Sequence, residues 1–123
     1  MRIKRSRLCD LYLRKRVTQK DKEGATSEGW EKSVHFVGEH WAASGSVQVQ
    51  QYGDRLNYIL NMKLDGKYTI ISGKHGVSYD FGDGLIFQEQ DGICVYTDED
   101  SDPDYRIISI KPYRQLKMEL EKL

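Results

Sequence analysis

The sequence predicts a mainly β protein, a small antiparallel β-barrel or sandwich with a short C-terminal helix. Three observations predict it. Apolar residues recur at alternate positions in short runs, most cleanly at Leu56, Tyr58, Leu60, Met62 and Leu64. Glycine–aspartate corners punctuate the chain at Asp65-Gly66, 82–84 and Asp91-Gly92. About seven or eight strand-like runs follow one another at intervals of roughly ten residues, the spacing of small all-β folds. At 123 residues the chain is expected to form one domain, large enough for a single core without staples. Residues 11–112 would form the barrel and 113–123 the helix.

The elements follow in order. A strand is expected over 11–19, with the polar link KDKEGATSEGW behind it. In WEKSVHFVGEHWAA, Val34, Phe36 and Gly38 fall on one strand face, and Gly38 marks a bend. SVQVQ alternates Val47 and Val49 with polar residues and reads as a further strand, followed by the link QYGD. The 56–64 strand turns at Asp65-Gly66 into a hairpin partner ending near Ile71. SGKHGVSYDFGDG reads as loop with a short extended piece. Leu85–Phe87, ICVYT and YRIISI supply three more strands, and DEDSDPD is an exposed loop that Pro103 keeps out of the sheet. In PYRQLKMELEKL, Pro112 suits a first helical turn, and Leu116, Leu120 and Leu123 fall on one helical face.

Charge is balanced in total and uneven in layout. Lysine plus arginine and aspartate plus glutamate number 19 each. Residues 1–20 carry eight basic side chains and one acid, whereas 80–104 carry nine acids and no lysine or arginine. Such asymmetry can serve nucleic-acid contact or head-to-tail association, or simply give two solvated surfaces. Two widely spaced cysteines, Cys9 and Cys94, give neither a disulfide framework nor a zinc knuckle, and a reducing compartment is the expectation. No run reaches the length of a membrane helix, and the basic N-terminus lacks the apolar core of a signal peptide.

Little in the sequence points to catalysis, and the expectation is a protein that is not an enzyme and has no cofactor. Three scattered histidines do not make a metal site, and His35 and His40 fall on opposite faces of a strand. Asp98, Asp100 and Asp102 imitate the start of a calcium loop. The pattern then fails, because Pro103 stands where a glycine must turn and Ser109 where a bidentate glutamate belongs. GKHGVSYDFGDG lacks the G-K-[ST] ending of a phosphate cradle. No serine sits in a G-x-S-x-G elbow, and Cys9 has no evident base. The basic segments RIKRSR and LRKR, with Arg5, Arg7, Arg14, Lys15 and Arg16, could face DNA or a neighbouring subunit.

The order of short motifs resembles the phage head–tail joining family, the head-closure or stopper proteins. The resemblance rests on LYLRKRVTQKDKEGATSEGWEK with its Asp21–Gly24 hairpin, then Trp30, Trp41-Ala42, Ser44-Gly45 and the late Tyr105–Ile110 strand. It covers about 11–113; the acidic DEDSDPD insertion and the leucine-bearing C-terminus depart from it. It implies a β-barrel that assembles as a ring of several copies beneath portal and adaptor proteins, in contact with tail components and incidentally with DNA. Assembly would take place in the host cytoplasm, and the ring would lie in the virion neck. Carried over by position, the channel-closing loop is 44–55: Ser44, Gly45, Val47, Gln48, Val49, Gln50, Gln51, Tyr52, Gly53 and Asp54, up to Arg55. SVQVQ would then pair with copies of itself across the ring, its glutamines adding hydrogen bonds and its glycines the bends. The simpler alternative is a plain hairpin strand in the barrel wall. Separately, the opposed charge blocks suggest that the basic N-terminal face of one copy meets the acidic 98–104 loop, with Asp98, Asp100 and Asp102, of a neighbour or of the adaptor. A nucleic-acid-binding small β-barrel, or another neck or tail ring protein such as a tail terminator, are the other expectations.

Overall fold

The computed structural model describes residues 8–20, 24, 26–74 and 76–123. In chain order these form β1 (Cys9–Arg14), β2 (Arg16–Lys20), β3 (Thr26–Trp30), β4 (Val34–Ala42), α1 (Ser46–Tyr52) and a 3-10 segment (Gly53–Tyr58). Then come β5 (Ile59–Leu64), β6 (Thr69–Gly73), β7 (Gly76–Asp80), β8 (Ile86–Gln88), β9 (Gly92–Cys94), β10 (Tyr105–Pro112) and β11 (Leu116–Lys122). Six strands close an antiparallel barrel in the order β1-β4-β5-β11-β10-β9. The ribbon β2–β3 and the three-stranded sheet β6-β7-β8 stand outside it.

Alternation fills the barrel. Leu11 and Leu13, Phe36, Met62 and Leu64, Ile93, Ile107 and Ile110, and Leu116, Met118 and Leu120 all point inward and are buried. Strand β10 changes phase between Ile107 and Ser109, where its pairing with β11 slips by one residue. That bulge turns Ile110 inward after Tyr105 and Ile107, although simple period-two reading would send it out. Strand β4 pairs with β1 through Gly38 and with β5 from Glu39 onward. A Cβ on Gly38 would lie 3.1 Å from the Lys63 carbonyl oxygen and 3.3 Å from Leu11 Cδ1, so a bare backbone suits this crossing point.

The outer sheet is joined to the barrel by aromatic rings. Phe87, fully buried, meets Phe36 edge-on at 5.0 Å and Phe81 at 5.7 Å; Tyr68 bridges Phe81 and Tyr79. Edge-to-face contact of this kind adds to the area buried.

Strand β9 closes the barrel with only three residues, and its outer side is covered by the loop that follows. The Cys94 thiol lies 3.7 Å from the Ser101 carbonyl oxygen. A Cβ on Gly92 would fall 2.4 Å from Pro103 Cγ and 3.0 Å from the Trp30 ring. Pro103 is therefore buried against the barrel, although Asp98, Asp100 and Asp102 around it are exposed. Gly92→Ala should cost about 1–3 kcal/mol, since the Pro103 ring cannot yield without moving its backbone and the Trp30 ring must turn aside. Urea denaturation measures this; an unchanged midpoint would show that the loop moves aside freely.

Five expectations are corrected. The C-terminus is strand β11 and not a helix. Leu116 and Leu120 are four apart and satisfy both periods; the deciding residue is Met118, fully buried, while Leu123 is exposed. Pairing settles the ambiguity, because β11 lies between β10 and β5 and fills the barrel wall. SVQVQ is helical, as described below. Leu56 and Tyr58 belong to the 3-10 segment, and the strand begins at Ile59. Asp65-Gly66 does not make a hairpin: β5 lies in the barrel and β6 in the outer sheet, where β6 pairs with β7. The 11–19 strand is divided at Lys15 into β1 and β2.

Candidate interaction site on the outer barrel wall

The β4–β5 connection folds back over the barrel. Helix α1 is built from residues with modest helical preference, including β-branched Val47 and Val49. Its N-terminus has no side-chain cap and no acid in the first turn, and none of its residues is buried. A helix of seven residues is not stable by itself in water. Tertiary contacts must hold it, and they are polar.

Gln48 and Tyr52, one turn apart, face the wall. The Gln48 side-chain amide donates to Asn61 Oδ1 at 2.7 Å and to Glu119 Oε2 at 2.9 Å. Asn61 Nδ2 donates back to Gln48 Oε1 at 3.1 Å, and the Ser44 amide donates to the same oxygen at 3.1 Å. Asn61 and Glu119 are directly paired across β5 and β11, and both are buried. Period two places them outside the barrel because Met62, Leu64, Met118 and Leu120 occupy the inside. Glu119 Oε1 takes no hydrogen bond of good geometry and instead faces the Lys111 ammonium at 3.3 Å.

Burial alone would raise the Glu119 carboxyl. Hydrogen bonds from Gln48 and Tyr52, together with the facing Lys111 ammonium, outweigh it and hold the group below its ordinary range. The Tyr52 phenol is pushed up to about 12, first by burial and then by the hydrogen bond to Glu119. The pair is a charged acceptor and a neutral donor at every pH between those limits. Further along, Arg55 is bonded to Glu121, which also faces Arg106. The outward side of α1 carries Val47, 74% exposed, with Val49, Gln50 and Gln51 also exposed.

Of the 44–55 candidates, Gln48 and Tyr52 thus grip the wall, while Ser44, Gly45, Val47, Val49, Gln50, Gln51, Gly53 and Asp54 face solvent. Helical bonds, such as those from the Val49 amide to the Gly45 carbonyl oxygen at 3.0 Å and from the Gly53 amide to the Val49 carbonyl oxygen, take up backbone groups that a strand would offer for pairing. A free strand edge does exist, at β6. Among the described residues it borders only β7, and all five of its residues, Thr69–Gly73, are exposed, with Ile70 at 52% and Ile71 at 45%.

The basic candidates divide. Arg5 and Arg7 lie outside the described residues. Arg14 donates to the carbonyl oxygens of Glu31 at 2.6 Å and Ser101 at 2.5 Å. Lys15 pairs with buried Asp91 at 2.6 Å, and the Arg16 amide donates to the other oxygen of that carboxylate at 3.1 Å. Arg14 and Lys15 therefore tie the start of the chain to its own acidic half. Asp98 caps its loop, accepting from the Ser101 hydroxyl at 2.6 Å and the Asp100 amide at 3.2 Å, and the Ser101 bond leads in lowering its pKa. Asp100 and Asp102 are exposed.

Sequence reasoning missed Asn61 and Glu119, and it missed the β6 edge. Glu119 lies in a run whose leucine spacing also fits a helix. Once 116–120 is read with period two, a carboxylate between Met118 and Leu120 points out of the barrel, beside whatever covers β5. No family model, curated protein or solved structure matches the chain.

Proposed function

We propose that the chain is a structural component of a phage or prophage head–tail connector: a ring-forming stopper that closes the DNA exit channel and joins head to tail. It acts by shape and by adhesion between copies, with no bond made or broken in a substrate. Its partners are further copies of itself, portal–adaptor proteins and tail components. The order of sequence motifs supports this reading, and one structural observation carries it, the open edge of β6. An uncharged, exposed strand with two isoleucines is a template for pairing with another chain, and soluble proteins ordinarily block such edges. The closed barrel supplies a rigid body with no edge of its own. In the same reading 44–55 is the channel-facing element, carried as a helix that presents Val47 and Val49.

Ile71→Lys tests the proposal. It places a charge on the edge without touching the buried core, so the monomer should keep its melting temperature. Wild-type protein should form rings on a purified portal–adaptor connector in negative-stain images, and the variant should not. Rings formed equally well by the variant would remove β6 from the assembly. Capture by tail tube in place of the connector would favour a tail terminator.

A further inference from the structure

Strand register builds a second feature of the outer wall. Lys63 is paired with Lys117, and Lys117 with Lys111, so three lysines stand side by side across β5, β11 and β10. All three point outward, because their neighbours Met62, Leu64, Leu116, Met118 and Ile110 are buried. Strands are about 4.8 Å apart, and like charges placed directly opposite one another repel. The row is relieved only at its ends, where Glu39 lies 3.8 Å from Lys63 and Glu119 lies 3.3 Å from Lys111. Lys117, in the middle, makes no carboxylate contact among the described residues; it and Lys63 lie 5.9 and 5.7 Å from the Trp41 ring. Beside the row, the β10–β11 turn exposes Tyr113 and Arg114. With Lys63, Gln115 and Lys117 they line a groove of about 230 Å³; no carboxylate is among these five residues, although Gln115 donates to the Asp65 carboxylate at its edge.

We propose that this groove and the lysine row bind the phosphate backbone of a single-stranded nucleic acid, with a base stacked on Tyr113. A line of cations suits a polyanion better than one isolated phosphate. An arginine and an exposed aromatic ring beside them are the usual means of holding unpaired bases. The site is distinct from the basic N-terminal residues and from the β6 edge, so it stands or falls independently of the connector reading.

The test is fluorescence anisotropy of a labelled oligothymidine of about 15 nucleotides with the full chain, beginning near 50 mM salt. Neutralising three or four phosphates predicts a slope of log K against log salt of about −2 to −3. The double variant Arg114→Glu, Lys117→Glu should bind at least tenfold more weakly, with the slope shallower by about 1.4. Tyr113→Ala should weaken binding about tenfold and leave the slope unchanged. Lys117→Glu relieves repulsion within the row, so its melting temperature should not fall, and lost binding cannot then be lost folding. Three results would overturn the proposal: no binding at 50 mM salt, unchanged binding by the folded variants, or tighter binding of a duplex of the same length.

Discussion

Phe87→Ala is expected to lower stability by about 3–5 kcal/mol and the melting temperature by about 10–20 °C. The ring is fully buried and lies where two sheets meet, against Phe36 of the barrel and Phe81 at the turn into β8. Its removal leaves a cavity between a rigid barrel and a small sheet. Neither side can close that cavity without breaking strand pairing. The β6–β8 sheet has its other anchor in Tyr79, with Tyr68 beside it, so it should loosen before the barrel opens. Differential scanning calorimetry and hydrogen exchange over 69–88 measure this. A loss below about 1 kcal/mol would mean that the outer sheet does not rely on this joint.

Glu119→Ala should cost about 2–3 kcal/mol, and its local effect should be larger than its global one. The substitution removes the acceptor shared by Gln48 and Tyr52 and leaves Lys111 without its partner. Since α1 buries no residue, nothing apolar replaces that attachment. Hydrogen-exchange protection over 46–52 should therefore disappear, while protection over 59–64 persists. Acid should do the same to the native chain. The Glu119 carboxyl is held below its ordinary value of 4.5, so folding favours the charged form. Its contribution is complete above that value and is lost as pH falls through the lowered one. The gap in melting temperature between wild type and Glu119→Ala should accordingly be wide at pH 7 and narrow in strong acid. A constant gap would show that the carboxylate charge does not hold the helix.

Both variants draw on features that were unevenly legible in the sequence. Phe87 could be placed in a strand from its neighbours, yet nothing in Leu85–Phe87 said that the strand lay outside the barrel. SVQVQ offered alternation and β-branched residues, a strand signal, and became a helix because Gln48 and Tyr52, one turn apart, meet a wall where Asn61, 13 residues from Gln48, is paired with Glu119, 71 residues from it. Among the charged candidates, position predicted a basic face and an acidic loop. Arg14 and Lys15 instead meet the acidic half of their own chain, which only the closing of β9 onto β1 brings near.

By itself the sequence determined that this is a mainly β chain. Alternation at Phe36, Met62, Leu64 and Ile107, with corners of glycine and aspartate between, encodes a sheet that must bury one face. Such a pattern is local, because it depends only on the two-residue repeat of an extended backbone. Tertiary structure decided which strand lies beside which, that Leu116–Lys122 is wall and not helix, that 46–52 is helix and not strand, and that three lysines share a row. These depend on register between distant segments. There, free energy comes from partners the local pattern cannot name, and it exceeds the fractions of a kcal/mol by which propensity separates helix from strand.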